Sequence, residues 1–278
     1  MMSRPAKPKA KGMGAATRRI LALAGNPPDV DTAVMVIAEQ LMGGIAHPPT
    51  DLEALGKRLN VSGFEAENMP LSGELRREGT QYRVFYSSYL SATQRRFTIA
   101  HELGHAVFAS TGRNYPRTGE EVERICDMLA AEFLMPEPEF RRRLGESPTA
   151  ERILDLAALF KVPLYSAAIR AAELQGVSVF TLENQMVIWA FGEIRKGPIQ
   201  KNGFYLKTAL ESVTTSSGDM VFPMSGEFVP TQARLTWKRI TNGNRAFCVL
   251  KRIQPPKRTA KHEDISVEEN SIYEHPHV

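Results

Sequence analysis

The H-E-L-G-H sequence at residues 101–105 places the tightest restriction on the fold, because its chemistry requires two imidazoles on one face of a helix. Ser91 begins a helical pattern ahead of it, and Gln94 three residues later completes a capping box. Four residues advance a helix by about 6 Å and slightly more than one turn. The spacing therefore predicts that His101 and His105 project side by side from a capped helix.

Two histidines in this arrangement can both bind one Zn²⁺, at distances of about 2.0–2.1 Å. Glu102 is rotated by about 100° from His101, which places its carboxylate beside the metal rather than on it. From there the carboxylate can accept a proton from a water molecule that the metal activates. The alternative interpretation is a pair of satisfied histidines in an ordinary core, with no metal. A third ligand would favour the metal site.

The next predicted helix, residues 119–134, offers acidic candidates for that third ligand. Glu123 and Asp127 are four residues apart and share one face, so Glu123 can bind the metal while Asp127 accepts a hydrogen bond from a ligating histidine. The alternative is that acids in a first helical turn only complement the helix dipole. That explanation suits Glu120 and Glu121 better than Glu123, which lies further inside the helix.

Over about residues 30–175 the chain resembles the ImmA/IrrE family of zinc metallo-endopeptidases. The resemblance is carried by residues 94–105, QRRFTIAHELGH, and by residues 123–136, ERICDMLAAEFLMP. In the family the second segment usually reads E-x-x-A-N-x-F-A-A-x-L-L-M-P, and its leading glutamate is the third metal ligand. That position is Glu123 in this chain. The departures are changes of packing size that leave the ligand set whole: Cys126, Asp127, Leu129 and Phe133.

The resemblance implies an α+β fold with a small gluzincin-like catalytic core of helices and a short sheet, a Zn²⁺ cofactor, and cleavage of a regulatory protein. The substrate would be a helix-turn-helix repressor or an antitoxin. The implied metal ligands are His101, His105 and Glu123, with Glu102 as the general base. The family's loop before the third ligand corresponds to residues 111–118, where Tyr115 is a candidate to hydrogen-bond the tetrahedral intermediate, although a loop tyrosine is more often merely exposed.

Charge and composition divide the chain into five parts. Residues 1–19 contain six Lys or Arg and no acid, so the net charge of +4 belongs to a tail rather than to a domain. Its composition predicts disorder. The predicted parts are a disordered basic tail at 1–25, a metallopeptidase core at 26–146, a helix-turn-helix-like helical segment at 147–176, a β-rich domain at 177–254 and a flexible tail at 255–278.

The two parts that follow the predicted core, the helical segment and the β-rich domain, contain weaker indications of function. In the helical segment, the second helix offers only Ser166 and Arg170 to a DNA groove, so a packing module is favoured over a DNA reader. In the β-rich domain, an Asn-Gly turn at 241–244 predicts a hairpin. We expect this domain to regulate or target the protease, around a core of four aromatic residues: Trp189, Phe191, Trp237 and Phe247.

The overall composition, with 42% hydrophobic and 24% charged residues, is ordinary for a soluble protein. No apolar run approaches the ~20 residues of a transmembrane helix, so we expect a cytoplasmic protein without a membrane partner. Two functions remain: a zinc endopeptidase, or a non-proteolytic transcriptional regulator that binds DNA or a repressor and has a structural metal site. The endopeptidase is favoured because a structural zinc site is closed and needs no carboxylate beside a histidine ligand.

Overall fold

The computed structural model describes residues 14–45, 47–112, 118–199, 204–224, 231–240 and 244–253. The helices are α1 (Ala15–Leu23), α2 (Val30–Met42), α3 (Leu52–Arg58), α4 (Ala92–Ser110), α5 (Glu120–Leu134), α6 (Glu137–Leu144), α7 (Ala150–Phe160), α8 (Leu164–Gln175) and α9 (Phe204–Glu211). The strands are β1 (Val61–Glu67), β2 (Gly73–Glu78), β3 (Gln81–Ser87), β4 (Ser178–Glu183), β5 (Met186–Phe191), β6 (Gly197–Pro198), β7 (Ser217–Met224), β8 (Thr231–Arg239) and β9 (Arg245–Ile253). This mixture of helices and sheets confirms the α+β class. Within the described ranges, no helix is long and apolar enough to span a bilayer.

The first sheet has the strand order β1-β3-β2, with β1 parallel and β2 antiparallel to β3. The strand β2 therefore lies at an edge of this sheet, and α4 packs against its inner face. Val84 in the central strand is fully buried there. On β2, Arg76 forms ion pairs with Glu67 of β1 at 2.6 Å and with Glu74 at 2.9 Å. The edge strand thus combines a charged sequence with one face turned toward α4.

Helix α4 begins with the predicted capping box. The Ser91 hydroxyl accepts a hydrogen bond from the Gln94 amide, and the Gln94 side chain accepts one from the Ser91 amide. Further along, α4 packs closely against α5. A Cβ added to Gly104 would lie only 3.0 Å from the Cα of Cys126, closer than packed atoms normally approach. The absence of a side chain at Gly104 therefore lets the two helices approach each other.

The expectation that residues 1–25 form a disordered tail is wrong for α1. Ala16 and Ile20, one helical turn apart, are 1% and 0% exposed, and they belong to the main apolar cluster. The helix packs against α2 and α5. The Lys, Pro and Gly content of the preceding residues obscured this short apolar stripe. Residues 1–13, and the predicted tail at 255–278, lie outside the described residues.

The second sheet has the strand order β6-β5-β4-β9-β8-β7, with antiparallel neighbours throughout. The predicted pairing of β8 with β9 is present, although the turn residues 241–243 are not described. Trp237 and Phe247 are buried as expected. The expectation of a core position is wrong for Phe191, which is 38% exposed. It lies at the end of β5, beyond the two residues of this strand that pair with β6.

Candidate metal centre

The two histidines of α4 project from the same face, and their ring centroids are 5.1 Å apart. Both are partly shielded, with 18% of the His101 side chain and 14% of the His105 side chain exposed. Their spacing follows from the helix, and the face on which they lie is turned toward α5. The helix therefore presents two ring nitrogens to a single point.

Glu123 of α5 supplies a third donor atom at the same point. Its Oε2 lies 3.1 Å from Nε2 of His101 and 3.6 Å from Nε2 of His105. One donor atom from each of the three residues lies within 4.8 Å of the others. Donor atoms of a tetrahedral zinc site are separated by about 3.3 Å, given bond lengths near 2 Å. The three side chains thus fit a divalent metal without rearrangement of either helix.

Asp127, one turn beyond Glu123, fixes the orientation of a histidine. Its Oδ1 lies 2.8 Å from Nδ1 of His101. Because Nε2 of that ring faces Glu123, the proton belongs on Nδ1, which donates to Asp127. This is the arrangement that the helical spacing predicted, and it holds the ring in the tautomer that a metal ligand needs.

The electrostatic environment of the two histidines differs. Burial opposes the charged form of His101, but its hydrogen bond with Asp127 and the charges of Glu102 and Glu123 raise its pKa overall. Burial, assisted by the charge of His101, lowers the pKa of His105. A metal binds only neutral imidazoles. Protons would therefore compete with a bound metal mainly at His101.

Glu102 lies beside the three donor atoms and is only 7% exposed. Burial raises the pKa of its carboxyl group from 4.5 to about 7, while the charge of His101 and a hydrogen bond from the backbone amide of Leu75 act in the opposite direction. A Cβ on Gly73 would lie 3.0 Å from Oε1 of Glu102. The edge strand β2 therefore passes close to the carboxylate, and the Leu75 amide hydrogen-bonds to it.

The site opens into a cleft of about 660 Å³ between α4, α5 and β2. This volume is typical of ligand-binding clefts. Besides the metal-site residues, the wall includes side chains that sequence reasoning did not find: Leu75, Arg77 and Tyr82. They come from β2 and β3, where Arg77 pairs with Tyr82 across the strands. Since β2 was not predicted from its charged sequence, its place beside the site could not be predicted either.

Residues 52–172 match the family model described as the IrrE N-terminal-like domain of the M78 peptidases. This segment is a domain of the ImmA/IrrE metallopeptidase family. The radiation response metalloprotease IrrE of Deinococcus radiodurans is 30% identical over 132 residues, which cover 43% of this chain and 40% of that protein. The chain thus matches less than half of the length of this curated relative. A solved structure, a Mycobacterium tuberculosis transcriptional regulator, aligns with a TM-score of 0.48 and 14% identity over 84% of this chain and 78% of that one.

The IrrE-like domain contains every described residue that the sequence predicted for the site. The structure brings together His101, His105 and Glu123, with Glu102 and Asp127 on either side of them. Tyr115 lies outside the described residues, and its contact with a reaction intermediate stays a prediction.

Arg170, one of the two residues that α8 could offer to DNA, faces inward near the end of the IrrE-like domain. Its side chain is 12% exposed and forms an ion pair with Glu132 of α5, whose side chain is 6% exposed. It also donates to the backbone carbonyl of Met135 at 3.3 Å. The helix α8 thus uses its cationic side chain to bind α5, the helix that contains Glu123 and Asp127. This contact favours a packing module over a DNA reader.

Proposed function

We propose that this protein is a zinc-dependent endopeptidase. The observation that carries the proposal is the convergence of His101, His105 and Glu123 on one point, with the buried carboxyl group of Glu102 beside them. Two imidazoles and one carboxylate are a typical donor set for a catalytic zinc with an open position. Bound there, Zn²⁺ would polarise the scissile carbonyl and make a water molecule acidic enough to react near neutral pH.

Glu102 performs the proton transfers. As general base its carboxylate takes a proton from the attacking water, and as general acid it gives that proton to the nitrogen of the leaving amine. Burial raises its pKa to about 7, so the group can hold or release a proton near neutral pH. Asp127 keeps the His101 ring in place during this cycle, through the hydrogen bond at Nδ1.

The cleft suits an extended peptide as substrate. The strand β2 lies at the edge of its sheet, and its backbone runs along the wall of the cleft beside Glu102. An extended segment can add to such an edge through main-chain hydrogen bonds. By the family resemblance, the segment belongs to a regulatory protein, either a helix-turn-helix repressor or an antitoxin.

The six-stranded sheet has a separate role in this proposal. It follows the IrrE-like domain in the chain, and we assign it to regulation or targeting of the protease. The alternative function is a non-proteolytic transcriptional regulator that binds DNA or a repressor and has a structural metal site. Binding of DNA through α8 has less support because the ion pair with Glu132 occupies Arg170.

Metal analysis of the purified protein and of Glu102→Gln tests the proposal. We expect about one zinc per chain in both, because Glu102 is not a metal ligand. When each form is co-expressed with candidate repressors and antitoxins, we expect the wild type to cleave one of them and Glu102→Gln to cleave none. Absence of a bound metal from the wild type, or equal cleavage by Glu102→Gln, would contradict the proposal.

A further inference from the structure

The amino-terminal helix α1 contacts both helices that carry the metal-site residues. At its start, the Thr17 hydroxyl donates to Oε1 of Glu121 at 2.5 Å, and the Ala16 amide donates to Oε2 at 3.2 Å. Gly14, the residue before α1, has no side chain to cap the helix. The Glu121 carboxylate of α5 therefore serves as the cap of α1, at the end where the helix dipole favours negative charge.

Two residues later, α1 binds the carboxyl end of α4. Arg19 donates through Nε to the Thr111 hydroxyl and through Nη2 to the Thr111 carbonyl, each at 2.7 Å. A guanidinium with two parallel bonds fixes direction as well as distance. Ile20, the next residue, is fully buried and anchors α1 in the core. The helix thus connects Thr111 to Glu121.

The residues that α1 contacts are close in sequence to the residues of the metal site. Glu121 is two residues before Glu123, and Thr111 is six residues after His105. The Glu123 side chain is 49% exposed, so packing around the side chain does little to fix it, and its position depends on where the first turn of α5 lies. The close contact of Gly104 with Cys126 sets the spacing of α4 and α5 at their middle. The contacts of α1 set the spacing of the two helices where α4 ends and α5 begins.

We propose that α1 is a positioning element for the metal centre, and that Thr17 and Arg19 hold Glu123 at binding distance from the two histidines. This inference depends on the proposed metal site and on no particular substrate. Without the two contacts, the first turn of α5 can move away from α4, and part of the metal-binding free energy is then used to bring it back.

The test is the zinc affinity of the full chain, measured by competition with a chromophoric chelator. Thr17→Val removes the hydroxyl but keeps the shape, and Thr17→Ser restores the hydroxyl. Arg19→Lys keeps the charge but loses the paired bonds. We expect Thr17→Val and Arg19→Lys each to raise the zinc Kd by about fivefold, and Thr17→Ser to stay within about twofold of wild type.

Glu120→Gln, an exposed change in the same turn of α5, is the control for lost negative charge and should also stay within about twofold.

Thermal unfolding of the metal-free variants separates positioning from general stabilisation. A lowered Tm with an unchanged zinc Kd, measured well below that Tm, would show that α1 only stabilises the fold and would overturn the proposal. Weak zinc binding by the wild type itself would instead contradict the proposed function. The two failures are therefore distinguishable.

Discussion

The buried carboxylate of Glu102, when ionised, lowers the free energy of unfolding of the metal-free protein. In the folded state burial raises its pKa to about 7, whereas in the unfolded chain the group titrates near 4.5. Between these values the folded form binds more protons than the unfolded form, so the free energy of unfolding falls as pH rises from about 5 to 8. A difference of this size corresponds to about 3 kcal/mol at most.

Glu102→Gln removes this pH dependence because the amide does not titrate. With metal removed by a chelator, we expect the variant to be about 2–3 kcal/mol more stable than wild type at pH 8 and nearly equal to it at pH 5. Urea unfolding at the two pH values measures the difference, with Glu120→Gln as the exposed control. If Glu102→Gln raised the free energy of unfolding equally at both pH values, the ionised Glu102 carboxylate would not be the cause of the destabilisation.

The metal-site residues were predictable because helical geometry brings them together. His101 and His105 are fixed relative to each other by one turn of α4, as are Glu123 and Asp127 by one turn of α5. Leu75 and Tyr82 were not predictable as site residues. Leu75 lies in the sequence GELRRE, which has little of the β-branched and aromatic content typical of strands, and it is extended because it pairs with β3.

At the level of helices, Gly104→Ala tests the close approach of α4 and α5. Helix propensity alone predicts stabilisation by about 1 kcal/mol. The added Cβ, however, would meet backbone atoms of Cys126 at 3.0–3.2 Å, so α5 must shift and Glu123 must shift with it. We expect the variant to be destabilised by about 1–3 kcal/mol and to bind zinc about tenfold more weakly.

Gly56→Ala in α3 is the matched control for Gly104→Ala. There the added Cβ meets the end of the Phe64 ring at 3.2 Å, a side chain that can move. This variant should keep the zinc affinity of wild type and its stability within about 1 kcal/mol. Urea unfolding and chelator competition give both quantities. An equal response of the two variants would mean that the contact with Cys126 has no special role.

Across the whole molecule, the six-stranded sheet and the helical part share an apolar core. Val179, Phe247 and Val249 on one face of the sheet belong to the same cluster as α7 and α8, whereas the opposite face packs with α9 in a second cluster. The Thr236 hydroxyl also accepts a hydrogen bond from the Ala150 amide at 2.9 Å. The sequence indicated a change from helical to strand patterns near Val177. The alternation of residues along a strand, however, does not reveal which helices cover each face of the sheet.

This shared core predicts that the sheet and the metal centre unfold together. The two tryptophans of the chain, Trp189 and Trp237, lie in β5 and β8, so their fluorescence reports on the sheet. Zinc release to a chromophoric chelator reports on the helical part. Phe247→Ala removes a fully buried ring from the shared face and should cost about 3–5 kcal/mol.

We expect the two signals to change at one urea concentration in the wild type, and the midpoints of both to fall equally in Phe247→Ala. Phe180→Ala, a change of the same size on the opposite face, should also shift the two midpoints together, because a single cooperative unit responds as a whole wherever it is weakened. Zinc release that stayed at its wild-type midpoint while the fluorescence transition moved would show instead that the helical part keeps its metal without the sheet. The sheet would then be an attached unit, and the contacts through α7 and α8 would contribute little to holding α4 and α5 in place.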